Sequence, residues 1–321
     1  MNNIQEIETI ENMLKIGNYS KMFRVNYNGL RLYIQPEPFV FYSGLTGALS
    51  AATFKGDPDF KRLKGWREGM IDSFGAKNAD DFLNMTADFG TLLHTALVTI
   101  KEKGCIDWAE EKERAFNYFI GCYRAKFLEP NVKVIKQQAY EYQKHVASLL
   151  QFVYERVHKI YAIETPVKWN DLRIATPVDL FCLCRQTEKG EFKPTTINLK
   201  TSSAISKHHM EQISCEMLMW NETYGADQPA EFTAAMRTKD WTEGKTPTFE
   251  YKYLNREQSS EIALNAAKRL ELCLNSEATY LYEPKNKTFT GVTNIGEMPV
   301  IETKTLEEEW KSVTEITLPD E

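Results

Sequence analysis

The sequence predicts an α/β protein, a central mixed β-sheet flanked by helices with a helical region on its N-terminal side. Two observations predict this. Residues 43–158 read as helical, with breaks near Gly56-Asp57-Pro58, Gly75, Gly104 and Pro130. Beyond His158 the pattern changes to β-rich runs bounded by polar turns, with helical stretches between them.

The elements follow in order. Residues 3–16 read as an amphipathic helix. Phe23–Gln35 reads as a β-hairpin, because Asn28-Gly29 suits a type I′ turn. In the helical region the longest uninterrupted piece is Val132–His158, with Val134, Tyr140, Val146, Leu149, Phe152 and Val153 as its expected buried stripe. Tyr161–Trp169, Arg173–Cys184 and Thr195–Lys200 read as strands, Ser206–Tyr224 as a helix, Glu231–Thr238 and Thr248–Leu254 as strands, and Arg256–Tyr282 as a closing helix. The expected organisation is thus a helix and hairpin over 1–42, a helical wall over 43–158, a sheet-bearing core over 159–284 and an acidic tail over 285–321. No internal repeat is visible.

Composition sets further bounds. No run approaches the ~18–20 apolar residues of a membrane span, and the first residues lack the basic start and apolar stretch of a signal peptide. A cytoplasmic protein without a membrane partner is the expectation. The six cysteines show no C-x-x-C spacing, so free and mostly buried thiols are expected. Net charge is −6, but residues 285–321 carry four Lys and eight Asp or Glu, which leaves only −2 to residues 1–284. The charge therefore does not exclude nucleic acid.

The most informative stretch is Ile174–Ser202. Its first β-run presents Asp179, and its second presents Asn198 and Lys200, two residues apart and so on one face of a strand. A hairpin can bring a carboxylate, an amide and an ammonium onto one surface. An acid, a second oxygen ligand and a lysine on adjacent strands is one way to build a metal-dependent phosphodiesterase, although that chemistry prefers a carboxylate to the amide of Asn198.

Here the chain resembles the PD-(D/E)XK nuclease superfamily, in its RecB-like and phage exonuclease branch. Pro177-Val178-Asp179 looks like the acid-bearing strand, and Asn198-Leu199-Lys200-Thr201-Ser202 resembles the D-x-K-T-S of the next strand. Gly90-Thr91-Leu92-Leu93-His94 looks like the branch's G-x-x-x-H, and Gln212 like the Gln of its Q-x-x-x-Y, whose Tyr is replaced by Glu216. Glu164 falls where these nucleases often keep a glutamate. The stretch from Ser43-Gly44-Leu45-Thr46 to Leu63-Lys64-Gly65-Trp66-Arg67 looks like the branch's lead-in. Four motifs in order are more specific than any one alone.

The resemblance implies a restriction-endonuclease-like core and an exonuclease acting on DNA ends in recombination or repair. It implies Mg²⁺ or Mn²⁺ held by Asp179, the side chain of Asn198, the backbone carbonyl of Leu199 and His94, whose nitrogen suits Mn²⁺ better. Lys200 would orient the attacking water and stabilise developing charge, and Gln212 would position a phosphate or a water. No iron–sulfur cluster is expected, because the clustered cysteines of some relatives are absent. Lys61, Arg62, Lys64, Trp66 and Arg67 are candidate DNA contacts, as are Thr201, Ser202, Lys207 and His208. Further candidate partners are a single-strand annealing or binding protein and a second copy of the chain.

Each residue also has an ordinary explanation. Asp179 fits a turn or strand edge, Lys200 a solvated strand end, His94 a packed helix, Gln212 a helix face, Glu164 an edge charge and the basic stretches a solvated helix face. For Asn198 the expectation is an engineered or recent Asp→Asn change that impairs an otherwise active nuclease. The alternative is a nuclease-fold protein that binds DNA, or serves as a scaffold, without cutting.

Overall fold

The computed structural model describes residues 22–27, 30–35, 37–52, 68, 76–125, 132–202, 204–239 and 244–275. The expected helix at 3–16, the residues of the Asn28-Gly29 turn, the basic cluster Lys61, Arg62, Lys64, Trp66 and Arg67, and the acidic tail lie outside them.

The protein is α/β with a mixed central sheet of eight strands among the described residues. The chain begins with β1 (Phe23–Tyr27), β2 (Leu30–Gln35) and β3 (Val40–Gly44), followed by α1 (Leu45–Ala51). Three long helices come next: α2 (Ala76–Lys103), α3 (Trp108–Ala125) and α4 (Val132–Arg156). The second half runs β4 (Val157–Trp169), β5 (Ile174–Arg185), β6 (Phe192–Lys200), α5 (Lys207–Tyr224), β7 (Phe232–Thr238), β8 (Phe249–Asn255) and α6 (Arg256–Asn275). Strands β1 and β2 pair antiparallel from Phe23↔Ile34 to Tyr27↔Leu30, as the hairpin reading expects.

Two expectations need correction. Residues 43 and 44 belong to a strand, because the run Val40-Phe41-Tyr42-Ser43-Gly44 pairs with β2 and then with β5 before α1 begins. In α4, Val134 and Tyr140 are exposed. The buried line is Ile135, Ala139, Tyr142, Val146 and Leu149, whose steps of four and three residues keep one helix face, and Val134 and Tyr140 fall off it.

The sheet divides the molecule into two packed layers. On one side α2, α3 and α4 bury Leu93, Leu97, Phe119, Tyr142 and Phe152 against Leu180, Ile197 and Leu199. On the other, α1, α5 and α6 bury Leu49, Trp220 and Ala266 against Val167, Val178 and Phe181. Because Ile197 and Leu199 face the first layer, Asn198 and Lys200 face α5.

Strand β5 sets the geometry. One of its edges is covered by β4, from Val157↔Cys184 to Trp169↔Ile174. The other edge is shared: β3 takes Ile174 and Ala175, and β6 takes Leu180 to Arg185. Between them, Thr176–Asp179 has no strand partner on that edge among the described residues, so the sheet forks there. The β5–β6 register, continued one residue past Leu180↔Ile197, sets Asp179 across from Asn198.

Helix α5 is fixed against this fork. Ser206 caps it, accepting the His209 N–H while the His209 ring accepts from the Ser206 N–H. Arg269 of α6 grips Glu211 with two hydrogen bonds of 2.9 and 3.1 Å. Phe181 stacks on Trp220 at 4.3 Å between ring centroids, and both rings are buried. Phe181→Ala would remove this contact and leave a cavity under α5. We expect a loss of about 3–5 kcal/mol, measurable as a lower urea midpoint with little change in slope.

Candidate metal centre

Three side chains from three elements converge at the fork. His94, from α2, contacts Glu164 of β4 through Nδ1, and its Nε2 lies 3.6 Å from Asp179 Oδ2. One ligand atom from each of the three lies within 4.8 Å of the others. Asp179 is buried and accepts the Leu199 N–H at 2.7 Å, so the carboxylate takes over as acceptor where the strand ladder stops. Glu164 sits opposite Asp179 by the β4–β5 register and has φ of 49°. A glutamate held in that region costs on the order of 1–3 kcal/mol, a strain the surrounding ladder sustains.

A second group meets it on the α5 face. Lys200 Nζ donates to Gln212 Oε1 at 2.9 Å, and Gln212 Nε2 donates to Glu216 Oε1 at 2.7 Å. Asn198 Nδ2 donates to both Glu216 oxygens, at 3.0 and 3.2 Å. The whole of this chain is buried except Lys200, which is partly exposed. Asn198 Oδ1 is buried and has no hydrogen-bond partner among the described residues.

The electrostatics follow from burial and neighbours. Burial pushes the Asp179 carboxyl above its ordinary range against the pull of His94, with Glu164 pushing the same way. Burial also raises Glu216, to about 8, helped by the charge of Asp179 and opposed by Lys200. Burial lowers Lys200, against Asp179 and Glu216. For His94, burial lowers the pKa, but Asp179 and Glu164 outweigh it and hold the ring at about 9. The pocket therefore holds more carboxylate than its own cations neutralise comfortably.

The remaining expected site residues are placed as follows. Leu199 offers its N–H to Asp179. Gly90 lies one turn before His94, and a Cβ there would be 4.0 Å from Thr201 Oγ1, so both ends of that motif reach the β6 end. Ser202 Oγ donates to the Ala204 carbonyl and its own carbonyl accepts from Arg237. Lys207 is exposed at the start of α5. His208 lies 4.0 Å from Glu211, off the cluster. Glu164, a supporting residue in the sequence analysis, is exposed at the rim of the pocket and joins the cluster through its contact with His94. Glu216 entered the sequence reading as a departure from a motif. Its spacing of four from Gln212, which puts both on one helix face, was the available signal.

A separate groove of about 390 Å³ between α2, α3 and α4 is lined by Ile100, Trp108, Leu150, Val153 and Tyr154. Its lining includes no carboxylate, lysine or histidine. No helix among the described residues is long and apolar enough to cross a membrane. Cys182, Cys184 and Cys215 are buried free thiols.

Compared with known protein families and with curated proteins, the chain matches no family profile and no curated sequence. The chemistry of the pocket must be argued from its own donors.

Because the folded pKa of His94 lies above its ordinary 6.5, protonation of His94 favours the folded state. That stabilisation is complete below about pH 6.5 and is lost as pH rises through about 9. In chelator-treated protein, NMR titration of the His94 ring should give a midpoint near 9. Asp179→Asn should move it down toward the ordinary histidine value. A midpoint unaltered by that substitution would remove Asp179 as the main electrostatic partner.

Proposed function

We propose that the protein is a Mg²⁺- or Mn²⁺-dependent DNA exonuclease of the RecB-like, phage-recombination type, hydrolysing phosphodiester bonds at DNA ends. One observation carries the proposal: His94, Glu164 and Asp179 gather their ligand atoms within 4.8 Å beside a lysine held on the next strand. The succession α4-β4-β5-β6-α5-β7 supports a restriction-endonuclease-like core, with the acid on the middle strand and the lysine on the next.

The donor set fits a hard divalent cation. It offers carboxylate oxygens, an imidazole and the orphaned buried carbonyl oxygen of Asn198, and the raised carboxyls of Asp179 and Glu216 call for added positive charge. His94, Glu164 and Asp179 would hold the ion, which when bound supplies Lewis-acid stabilisation of a phosphoryl oxygen. Lys200, fixed by Gln212, presents its remaining N–H donors to the attacking water and to the phosphate as negative charge develops there. Thr201, Ser202 and Lys207, at the end of β6 and the start of α5, are the described candidates for phosphate contacts. Lys61, Arg62, Lys64, Trp66 and Arg67 are further candidates from sequence. The proposed partners are DNA, and with it a single-strand annealing or binding protein or a second copy of the chain.

A second reading, a nuclease fold that binds DNA without cutting, is favoured by the neutral amide at position 198. The two separate in one experiment. Under the exonuclease reading, linear DNA loses nucleotides only when Mn²⁺ or Mg²⁺ is present. Lys200→Ala should then slow release by roughly 100–1,000-fold. DNA binding that survives EDTA, weakens steeply with salt and is never accompanied by cleavage would decide for the binding module.

A further inference from the structure

We infer that Asn198 and Glu216 form a reciprocal pair. Asn198 offers its carbonyl oxygen to the cation, and Glu216, as a positioning residue, fixes that orientation and, ionised when the cation is bound, brings to the pocket the negative charge that position 198 lacks. The inference rests on the metal-dependent reading above and deepens it.

Hydrogen-bond polarity fixes the orientation of both amides. Lys200 has only donors, so the Gln212 amide must turn its oxygen toward Lys200. Its nitrogen then faces Glu216, which accepts at 2.7 Å. Asn198 meets the same carboxylate, and only its nitrogen can donate to both oxygens. Asn198 Oδ1 is thereby turned off the helix. It is a buried acceptor with no protein partner among the described residues, on a side chain set across the fork from Asp179. A buried, unpartnered carbonyl oxygen is costly in a packed interior, and a hard cation held beside Asp179 would satisfy it.

The same contacts explain why an amide suits position 198. With both groups ionised, as a bound cation favours, a carboxylate there would stand at hydrogen-bond distance from the Glu216 carboxylate with no donor between them. With Asn198 and Glu216 the pocket has as many carboxylates as it would have with an acid at 198 and a neutral residue at 216. One has moved from the strand to the facing helix. The amide is then a working member of the site rather than a lesion in it.

The test uses the full chain and Mn²⁺ alone, with affinity read from loss of the free-ion EPR signal. Glu216→Gln keeps the shape but introduces a donor, so Asn198 is free to turn its oxygen inward. Outer-shell orientation of this kind is typically worth 10–100-fold in metal affinity, and we expect a loss of about that size. The double exchange Asn198→Asp with Glu216→Gln restores the polarity, because the new amide can donate to the new carboxylate. It should recover affinity to at least that of the unaltered chain. Should Glu216→Gln alone fail to fold, the double exchange still decides: recovery supports the pair and continued loss overturns it. Unchanged affinity in Glu216→Gln, or a double exchange no tighter than the single one, would overturn the pair while leaving the metal site standing. Failure of the unaltered chain to bind Mn²⁺ or Mg²⁺ would sink the metal reading and this inference together.

Discussion

The hydrogen bond from the Leu199 N–H to Asp179 is the contact on which the pocket depends. A buried carboxylate in the middle of a sheet is expensive unless donors surround it. Here the sheet supplies one by ending the β5–β6 ladder a residue early, so that a backbone donor otherwise used in pairing turns to the side chain. The same fork, opened because β3 and β6 share one edge of β5, lets His94 reach Asp179 from α2 while Asn198 and Lys200 meet α5 on the opposite face. Residues from two packed layers can therefore act on one point.

The two halves of the pocket are complementary in their bonding. On the α2 side, His94 stands between Glu164 and Asp179 and brings the positive charge when protonated. On the α5 side, Lys200 supplies charge and sets a fixed direction of donation through Gln212 to Glu216. Three carboxylates face one lysine and one histidine. The upward displacement of Asp179 and Glu216 comes first from their burial, and the neighbouring carboxylates, Glu164 for Asp179 and Asp179 for Glu216, add to it.

Much of this was legible in the chain. The alternation and turn residues beyond His158 located the strands to within a few positions, because half-buried β-runs and amphipathic helices write their period directly into sequence. Asn198 and Lys200 were readable as one face from their spacing, and the Gln212 spacing placed it one element later. The fork was not readable, since it arises from which strands share an edge of β5, a long-range fact. Glu164 reads as an edge charge in sequence because its approach to His94 goes with a left-handed backbone opposite Asp179, a feature no sequence period shows. Strand β3 was missed because its five residues run straight into α1 without a turn signal. Glu216 was visible as the fourth residue after Gln212, but comparison with a tyrosine-bearing pattern cast it as a loss rather than a contribution.

The histidine supplies the positive charge between Glu164 and Asp179. With its pKa held at about 9, His94 carries a proton at neutral pH and its imidazolium occupies the electrostatic role between Glu164 and Asp179. A nitrogen that carries this proton has no lone pair to offer, so coordination through His94 requires the proton to leave. Under the metal-dependent reading proposed above, proton and cation would be alternative occupants of one negative site, at the convergence of α2, β4 and β5. What an ion would change is the remaining half of the pocket, where Asn198 Oδ1 has no hydrogen-bond partner among the described residues.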